Sequence, residues 1–317
     1  MPVFPKTVLI VAGPTAGGKS ALALACARKW NGTVINADSM QVYDGLPVLT
    51  AHPSVEKKQE IPHKLYGVLD AAEQCTAARW CEMALAEVAA AHQHGRLPIV
   101  TGGTGFYMKA LTEGLSPVPD VPEDVRAQVR NDFAVMGTEA FAEKLAEKDP
   151  AIVSRIDLRN PQRMMRAMEV LKATGKSLGY WQDKEKQGGL DDDIRVVTVV
   201  LLPERAHLYA RCDKRFSWML EHGALDEVKD FAARIAAGTV PEDAPLLQAL
   251  GFAELRDYLA GKLTREDAEE LSCRKTRQYA KRQMTWMRNQ LGDALFVDAP
   301  DAAAVEKIAN RLQETVK

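Results

Sequence analysis

Residues 13–20, Gly-Pro-Thr-Ala-Gly-Gly-Lys-Ser, constrain the fold of this chain more than any other stretch. They carry the spacing G-x-x-x-x-G-K-[ST], follow the apolar run Thr7–Ala12 and precede the alanine- and leucine-rich segment Ala21–Ala27. Strand, glycine-rich loop and helix in that order read as a phosphate loop. The glycines let consecutive backbone N–H groups turn inward around an anion, and the helix aims its positive end at the same point. Gly13, Pro14, Thr15, Ala16, Gly17, Gly18, Lys19 and Ser20 are therefore the candidate phosphate-binding residues. Lys19 adds a point charge, and the Ser20 hydroxyl can reach a magnesium ion. A plain Gly-rich turn before a helix would leave the Lys-Ser pair unexplained.

Such a loop belongs in a parallel sheet flanked by helices, and the chain supplies the remaining strands. Residues 32–37 predict a second strand ending at Asp38-Ser39-Met40-Gln41-Val42-Tyr43. In a doubly wound sheet the C-terminal ends of the strands open onto the phosphate crevice, which makes Asp38 a candidate general base or magnesium partner. Helix capping or a turn role fits an aspartate there equally well. Gly45 to Pro62 reads as a loop in which His52, and His63 just beyond it, have no role by chemistry alone. Thr76 caps a helix over 77–94, Gly95 stops it, and residues 97–101 form a buried strand running into Gly102-Gly103-Thr104-Gly105-Phe106-Tyr107. That strand holds no acid. Without a Walker B aspartate, a motor or switch GTPase is disfavoured, and small kinases and group transferases remain.

Further on, residues 194–202 return the chain to the sheet, and Leu295-Phe296-Val297 with a terminal helix closes it. Between lies a stretch broken by Pro117, Pro119 and Pro122, with helices predicted over 124–136, 139–147 and, capped by Asn160, 161–174. The expected fold is α/β: a P-loop NTPase-like core with a parallel central sheet, residues 1–115 and 190–317, and a mostly helical insertion domain, residues 116–189.

The charge pattern adds a second signal. The formal net charge of -2 says nothing about partners, because the charges are unevenly spread. Thr264-Arg265-Glu266-Asp267 resembles a capping-box start for a helix running to about Leu291, which from Ser272 to Gly292 carries Arg274, Lys275, Arg277, Lys281, Arg282 and Arg288 and no acid, interleaved with Tyr279, Met284, Trp286 and Met287. Unbalanced cations with aromatics suit an anionic backbone and exposed bases. Arg155, Arg159, Arg163, Arg166, Lys172 and Lys176 in the insertion read first as a solvated face. On the helix over 204–221, Arg211 and Arg215 share one face, ready to clamp a phosphate or to pair with carboxylates. With 46% hydrophobic and 26% charged residues, the composition is that of a soluble globular protein. The start lacks the pattern of a signal peptide and the apolar runs are too short to span a bilayer, so the expected location is cytoplasmic. Five cysteines at no metal-binding spacing are expected to be reduced.

Taken together, several motifs resemble one family along almost the whole chain, the tRNA dimethylallyltransferases, or bacterial isopentenyl-transferase enzymes. They are Gly13-Pro14-Thr15-Ala16-x-Gly18-Lys19-Ser20, residues 36–43, Gly102-Gly103-Thr104-Gly105-x-Tyr107, Asp149-Pro150, Asn160-Pro161-Gln162-Arg163-x-x-Arg166, Thr174-Gly175-Lys176-Ser177, Arg215-Phe216-x-x-Met219 and Lys281-Arg282-Gln283-x-Thr285-Trp286-x-Arg288. The resemblance implies transfer of a dimethylallyl group from dimethylallyl diphosphate to the exocyclic amine of the adenosine 3' to the anticodon, in tRNAs reading codons that begin with U. By the same resemblance, Thr15 to Ser20 cradle the diphosphate, Ser20 helps hold Mg2+, Arg215 neutralises the leaving group and Asp38 takes the amine proton, with Thr104 beside them. It further implies tRNA contacts at Asp38, Ser39, Met40, Gln41, Thr104, Arg126, Gln162, Arg163, Met164, Met165 and Arg166. The same holds for Lys281, Arg282, Gln283, Met284, Thr285, Trp286, Met287 and Arg288. The expected partners are a tRNA anticodon stem-loop and dimethylallyl diphosphate, with no membrane, acted on by a monomer. The target base is expected to be flipped into a channel. Two stretches depart from the family: His52 replaces a lysine in Leu49-Thr50-Ala51-His52-Pro53, and Gln248-Ala249-Leu250-Gly251-Phe252-Ala253 replaces an Arg-x-x-Gly-Tyr pattern. A P-loop small-molecule kinase is the alternative reading, and it leaves the acid-free helix without a purpose.

Overall fold

The computed structural model describes residue 4 and residues 6–314; the remaining residues of the extreme ends, including most of the segment weighed as a signal peptide, lie outside the described residues. In chain order come β1 (Thr7–Ala12), α1 (Lys19–Trp30), β2 (Gly32–Asn36), α2 (Val55–Glu60), β3 (His63–Lys64), α3 (Ala77–Gln93), β4 (Leu97–Gly102) and α4 (Gly105–Glu113). Next are α5 (Glu123–Lys148), α6 (Pro150–Val153), α7 (Pro161–Thr174) and α8 (Leu178–Gln182). The chain then runs through β5 (Arg195–Leu201), α9 (Arg205–Glu221), α10 (Ala224–Ala236), α11 (Phe252–Leu259), α12 (Arg265–Gln290), β6 (Leu295–Val297) and α13 (Ala302–Gln313). It divides into two compact units, one running through Thr112 and resuming at Leu190, the other Glu113–Gly189.

The first unit is built on one sheet of six strands in the order β3-β2-β4-β1-β5-β6, every pairing parallel. Its central strands are buried throughout, which explains their unbroken apolar runs. Leu9, Val11, Ile99, Val197 and Val199 pack with Leu22, Ala23 and Cys26 of α1 and Ile308 of α13 on one face. The crossover through α3 runs back from β3 to β4, against the direction of the α1 crossover, so right-handed connections put α3 on the opposite face. There Trp80 of α3 stacks on Tyr107 of α4 with ring centroids 4.5 Å apart, and its indole N–H donates to the Asn36 carbonyl at the end of β2 (2.9 Å).

A second core in this unit joins Val42, Tyr43, Leu46 and Leu49 to Phe216, Phe231 and Phe252. Two of its helices, α10 and α11, are not anticipated from the sequence, nor is α2 inside the segment expected to be a loop. Helix α2 is a single six-residue element with no buried residue, so it leaves no apolar periodicity to read. Strand β3 is only two residues long. No helix among the described residues is long and apolar enough to cross a membrane.

In the second unit, α5 and α7 pack around Val129, Phe141, Leu145, Met164, Ala167 and Met168, all buried. Gly137 breaks the regular path of α5 with φ 74°, which is why the sequence reads as two helices there. Asn160 caps α7 by accepting from the Arg163 N–H (3.2 Å), with Pro161 in the first turn. All five cysteines are free.

Candidate active site

The phosphate loop leaves β1 at Ala12 and closes on itself through a Gly17 N–H to Pro14 carbonyl bond (3.0 Å). Gly18 (φ 105°) opens α1, and the N–H groups of Ala16, Gly18, Lys19 and Ser20 make no hydrogen bond among the described residues. Unpaired N–H groups at the start of a twelve-residue helix are what an anion needs. The Lys19 ammonium is held by the Pro14 carbonyl at 3.2 Å. Burial pulls its pKa down to about 8, the attraction of Asp38 opposing and the Arg215 guanidinium adding to the fall. Arg215 donates to the Thr15 hydroxyl (2.5 Å), and burial lowers its pKa as well.

Asp38 follows β2 by two residues. Its N–H is held by the Asn36 side chain (2.9 Å), and its Oδ1 accepts from the Met40 N–H (3.0 Å), leaving the other carboxylate oxygen without a hydrogen bond among the described residues. Its charge acts on Lys19, Arg215, His52 and the hydroxyls of Tyr66, Tyr107 and Tyr279. Burial pushes those phenols up, that of Tyr279 to about 12, so they are neutral donors at neutral pH. Thr104 Oγ1 accepts from the Ser39 N–H (3.0 Å), and the Thr104 N–H donates to the Ala37 carbonyl (3.1 Å), tying the loop after β4 to the loop after β2. Close approach explains the glycines here: a Cβ on Gly102 would strike the Ala37 backbone, and one on Gly105 the Trp286 ring.

Helix α12 is joined to this centre by Gln283, whose Oε1 accepts from the Thr15 N–H (2.8 Å) and whose amide donates to the Gly103 carbonyl (2.9 Å). The helix presents Lys281, Arg282, Thr285 and Arg288 outward, Trp286 partly, and buries Gln283, Met284 and Met287. All three are among the residues that the resemblance assigns to RNA; here helical periodicity turns Met284 and Met287 into the core and Gln283 toward the two loops. A correction concerns the six cations. Beyond Ser272 the helix has no acid of its own, Glu266, Asp267, Glu269 and Glu270 all lying in its first two turns, but Glu254 pairs with Lys275, and Asp213 with Arg277 at 2.6 Å. Arg274, Lys281, Arg282 and Arg288 have no ion pair among the described residues. Lys281, Arg282 and Trp286 border a surface groove of about 500 Å³.

In the second unit, Gln162 and Arg163 are exposed on the first turn of α7, Met165 and Arg166 are half-buried, and Met164 lies in the core. Arg166 is near Glu169 (3.6 Å) and Arg126 near Glu123 (3.9 Å). Asp132 and Asp183 neutralise Lys172 and Arg155, so most of the basic segment is a salt-bridged face.

Among the described residues no group of three or more His, Cys, Asp or Glu side chains is placed to hold a metal ion. Ser20 is exposed at the start of α1 and its hydroxyl makes no hydrogen bond there. That suits magnesium, which keeps waters and is commonly held by few protein ligands together with substrate phosphates.

A family model described as IPP transferase matches residues 41–290. A tRNA dimethylallyltransferase of Paramagnetospirillum magneticum is 51% identical over 283 residues, 89% of this chain and 88% of the relative. That of Rhodospirillum centenum is 49% identical over 93% of both. The chain belongs to the IPP transferase family. Among solved structures of the family, the full-length tRNA isopentenylpyrophosphate transferase of Bacillus halodurans superposes with a TM-score of 0.68 at 33% identity, covering 98% of this chain and 97% of that one. A eukaryotic dimethylallyltransferase described as acting on tRNA gives a TM-score of 0.78 at 29% identity, covering 96% of this chain and 77% of that one.

Against the family's motifs, the two departures occupy defined places. His52 stands edge-on to Tyr66 (centroids 5.9 Å), its Nε2 buried and without a hydrogen-bond partner among the described residues, and burial with nearby Lys58 lowers its pKa to about 4. With Ser20, Leu24, Val34, His63 and Tyr66 it lines a cavity of about 210 Å³ beside α1. Phe252 is in the core, edge-to-face with Phe231. Sequence reasoning missed Glu227, whose carboxylate accepts from the Val48 and Leu49 N–H groups (2.7 and 3.0 Å). It holds the turn whose Thr50 and Ala51 carbonyls accept from the Gln41 amide. A separation of 179 residues between Glu227 and Val48 left no local signal.

Proposed function

We propose that this protein transfers a dimethylallyl group from dimethylallyl diphosphate to the exocyclic amine of the adenosine 3' to the anticodon of tRNA, releasing diphosphate. One observation carries the reading: in a member of this family, Lys19 and Arg215, which touch the phosphate loop with its unpaired N–H groups, sit within electrostatic reach of Asp38. The diphosphate lies against the loop, with Lys19 and Arg215 taking up the charge that grows on the leaving oxygen as the allylic C–O bond breaks. The adenine amine attacks the allylic carbon, and its proton passes to the unbonded Asp38 oxygen. Thr104 positions this step by fixing Ser39 next to Asp38. Ser20 would help hold a magnesium ion, which would supply further neutralisation of the leaving group. Lys281, Arg282 and Arg288 of α12, and Arg163 of α7, bind the RNA backbone. Trp286 offers a stacking surface to a base drawn out of the anticodon loop, which must leave its stack to be modified. We place the enzyme in the cytoplasm, where tRNA is processed, as a monomer with the second unit as an RNA-contacting insertion.

Incubation with magnesium, unmodified tRNA and either dimethylallyl diphosphate or ATP, followed by mass analysis of digested nucleosides, tests this. A dimethylallyl increment on adenosine is the expected result. Phosphate transfer from ATP without it would establish a kinase instead.

A further inference from the structure

The phosphate loop is faced by two arginines of α9, and among the described residues only one has a hydrogen-bond partner. Leu208 and Cys212 of α9 are buried with Ala280 and Met284 of α12 and against Ala16 and Leu202, which fixes the rotation of the helix about its axis. Arg211 and Arg215, one turn apart, are thereby both turned to the loop. Arg215 is bonded to Thr15. Arg211 lies over Gly18: a Cβ built on that glycine would come within 2.8 Å of the Arg211 Nη2 and 2.9 Å of the Pro300 Cγ. Yet Arg211 makes no hydrogen bond or ion pair among the described residues. The acid nearest to it in sequence, Asp213, is paired with Arg277. Its positive charge instead opposes that of Arg215, whose pKa it helps to depress. Lys19, Arg211 and Arg215 thus gather around one loop with Asp38 as the acid whose charge reaches Lys19 and Arg215. Like charges collected without counter-charges are unfavourable until an anion of high charge arrives.

The geometry points to Arg211 as a third cationic ligand of the diphosphate group, standing at Gly18 on the open side of the loop. This rests on the reading of the loop as a donor-diphosphate site. Arg211 is exposed whereas Lys19 and Arg215 are not, so it meets the terminal phosphate, the one not bonded to the prenyl carbon, and retains it in both the donor and the released product. Its planar fork suits two phosphate oxygens at once.

Titration calorimetry with inorganic diphosphate and magnesium, without tRNA, tests the proposal on the full chain, together with the Michaelis constants for donor and tRNA. Removing one charged hydrogen-bonding partner, Arg211→Gln, is expected to weaken diphosphate binding by about tenfold or more. The donor KM should rise by a similar factor, while the tRNA KM and the melting temperature without ligand stay unchanged. Arg211→Lys, which keeps the charge but loses the fork, should fall between. Diphosphate affinity of Arg211→Gln within about twofold of wild type would overturn the assignment while leaving the loop's role intact. Failure of the wild type to bind diphosphate, or binding by Lys19→Ala as tight as wild type, would overturn the reading of the loop and Arg211 with it.

Discussion

Asp38, the proposed general base, also holds a turn. One oxygen holds the Met40 N–H and the other has no hydrogen bond among the described residues, so the turn is kept when only the basicity is removed. Asp38→Asn retains an acceptor for Met40 and is expected to slow single-turnover transfer at least tenfold, within the range of about 10²–10⁴ associated with general bases, while tRNA affinity is maintained. Unchanged single-turnover rates would remove the role assigned to it. Lys19 sets a pH limit. Without ligand its pKa is about 8, so below that value it is an ammonium ready for the anion, and above it binding requires proton uptake. Diphosphate affinity should therefore decline as pH rises past about 8, by up to about tenfold per pH unit, and calorimetry between neutral and alkaline pH checks it. His52 acts in the opposite range. Its folded pKa of about 4 lies below the usual value of 6.5, so the unfolded chain takes up a proton first as pH falls. Stability is lost between those two values, by about 1–3 kcal/mol for this group. Denaturant titrations should show that segment of acid sensitivity reduced in His52→Gln.

Among the elements, α12 does two jobs with two faces. Its inner face delivers Gln283 to Thr15 and Gly103, so the helix braces both loops of the active site. Gln283→Leu strands the Thr15 N–H and the Gly103 carbonyl and should cost about 1–3 kcal/mol in chemical denaturation. The outer face carries Lys281 and Arg282, which have no ion pair among the described residues. Replacing both by glutamine should weaken tRNA binding and reduce the slope of log affinity against log salt by about 1.5, each phosphate contact contributing about 0.7–0.9. An unaltered slope would place that face away from the RNA. Helix α9 works similarly, burying Leu208 and Cys212 while its arginines face the loop.

At the scale of the whole molecule, the two units have separate hydrophobic cores, and this separates their predicted failures. Phe141→Ala removes a fully buried ring from the second unit and should destabilise that unit by about 3–5 kcal/mol, seen as faster hydrogen exchange across α5 and α7. Binding of inorganic diphosphate to the first unit should persist, and loss of both together would contradict the separation. Much of this molecule was legible in its sequence. The loop of residues 13–20, the apolar runs of the central strands and the helix caps at Thr76, Asn160 and Thr264 are local signals, because turn chemistry and periodicity act over a few residues. What the linear order could not contain is which distant groups meet. Glu227 reaches the Val48 turn, Gln283 reaches Thr15, and Asp213 and Glu254 quench cations of a stretch of α12, from Ser272 on, that has no acid of its own. The chain alone determined where an anion-binding loop would form, since a glycine-rich turn and a helix start are local features. Only the tertiary structure decided which cations remain free to bind it, because the pairing of a charge depends on its neighbours in space.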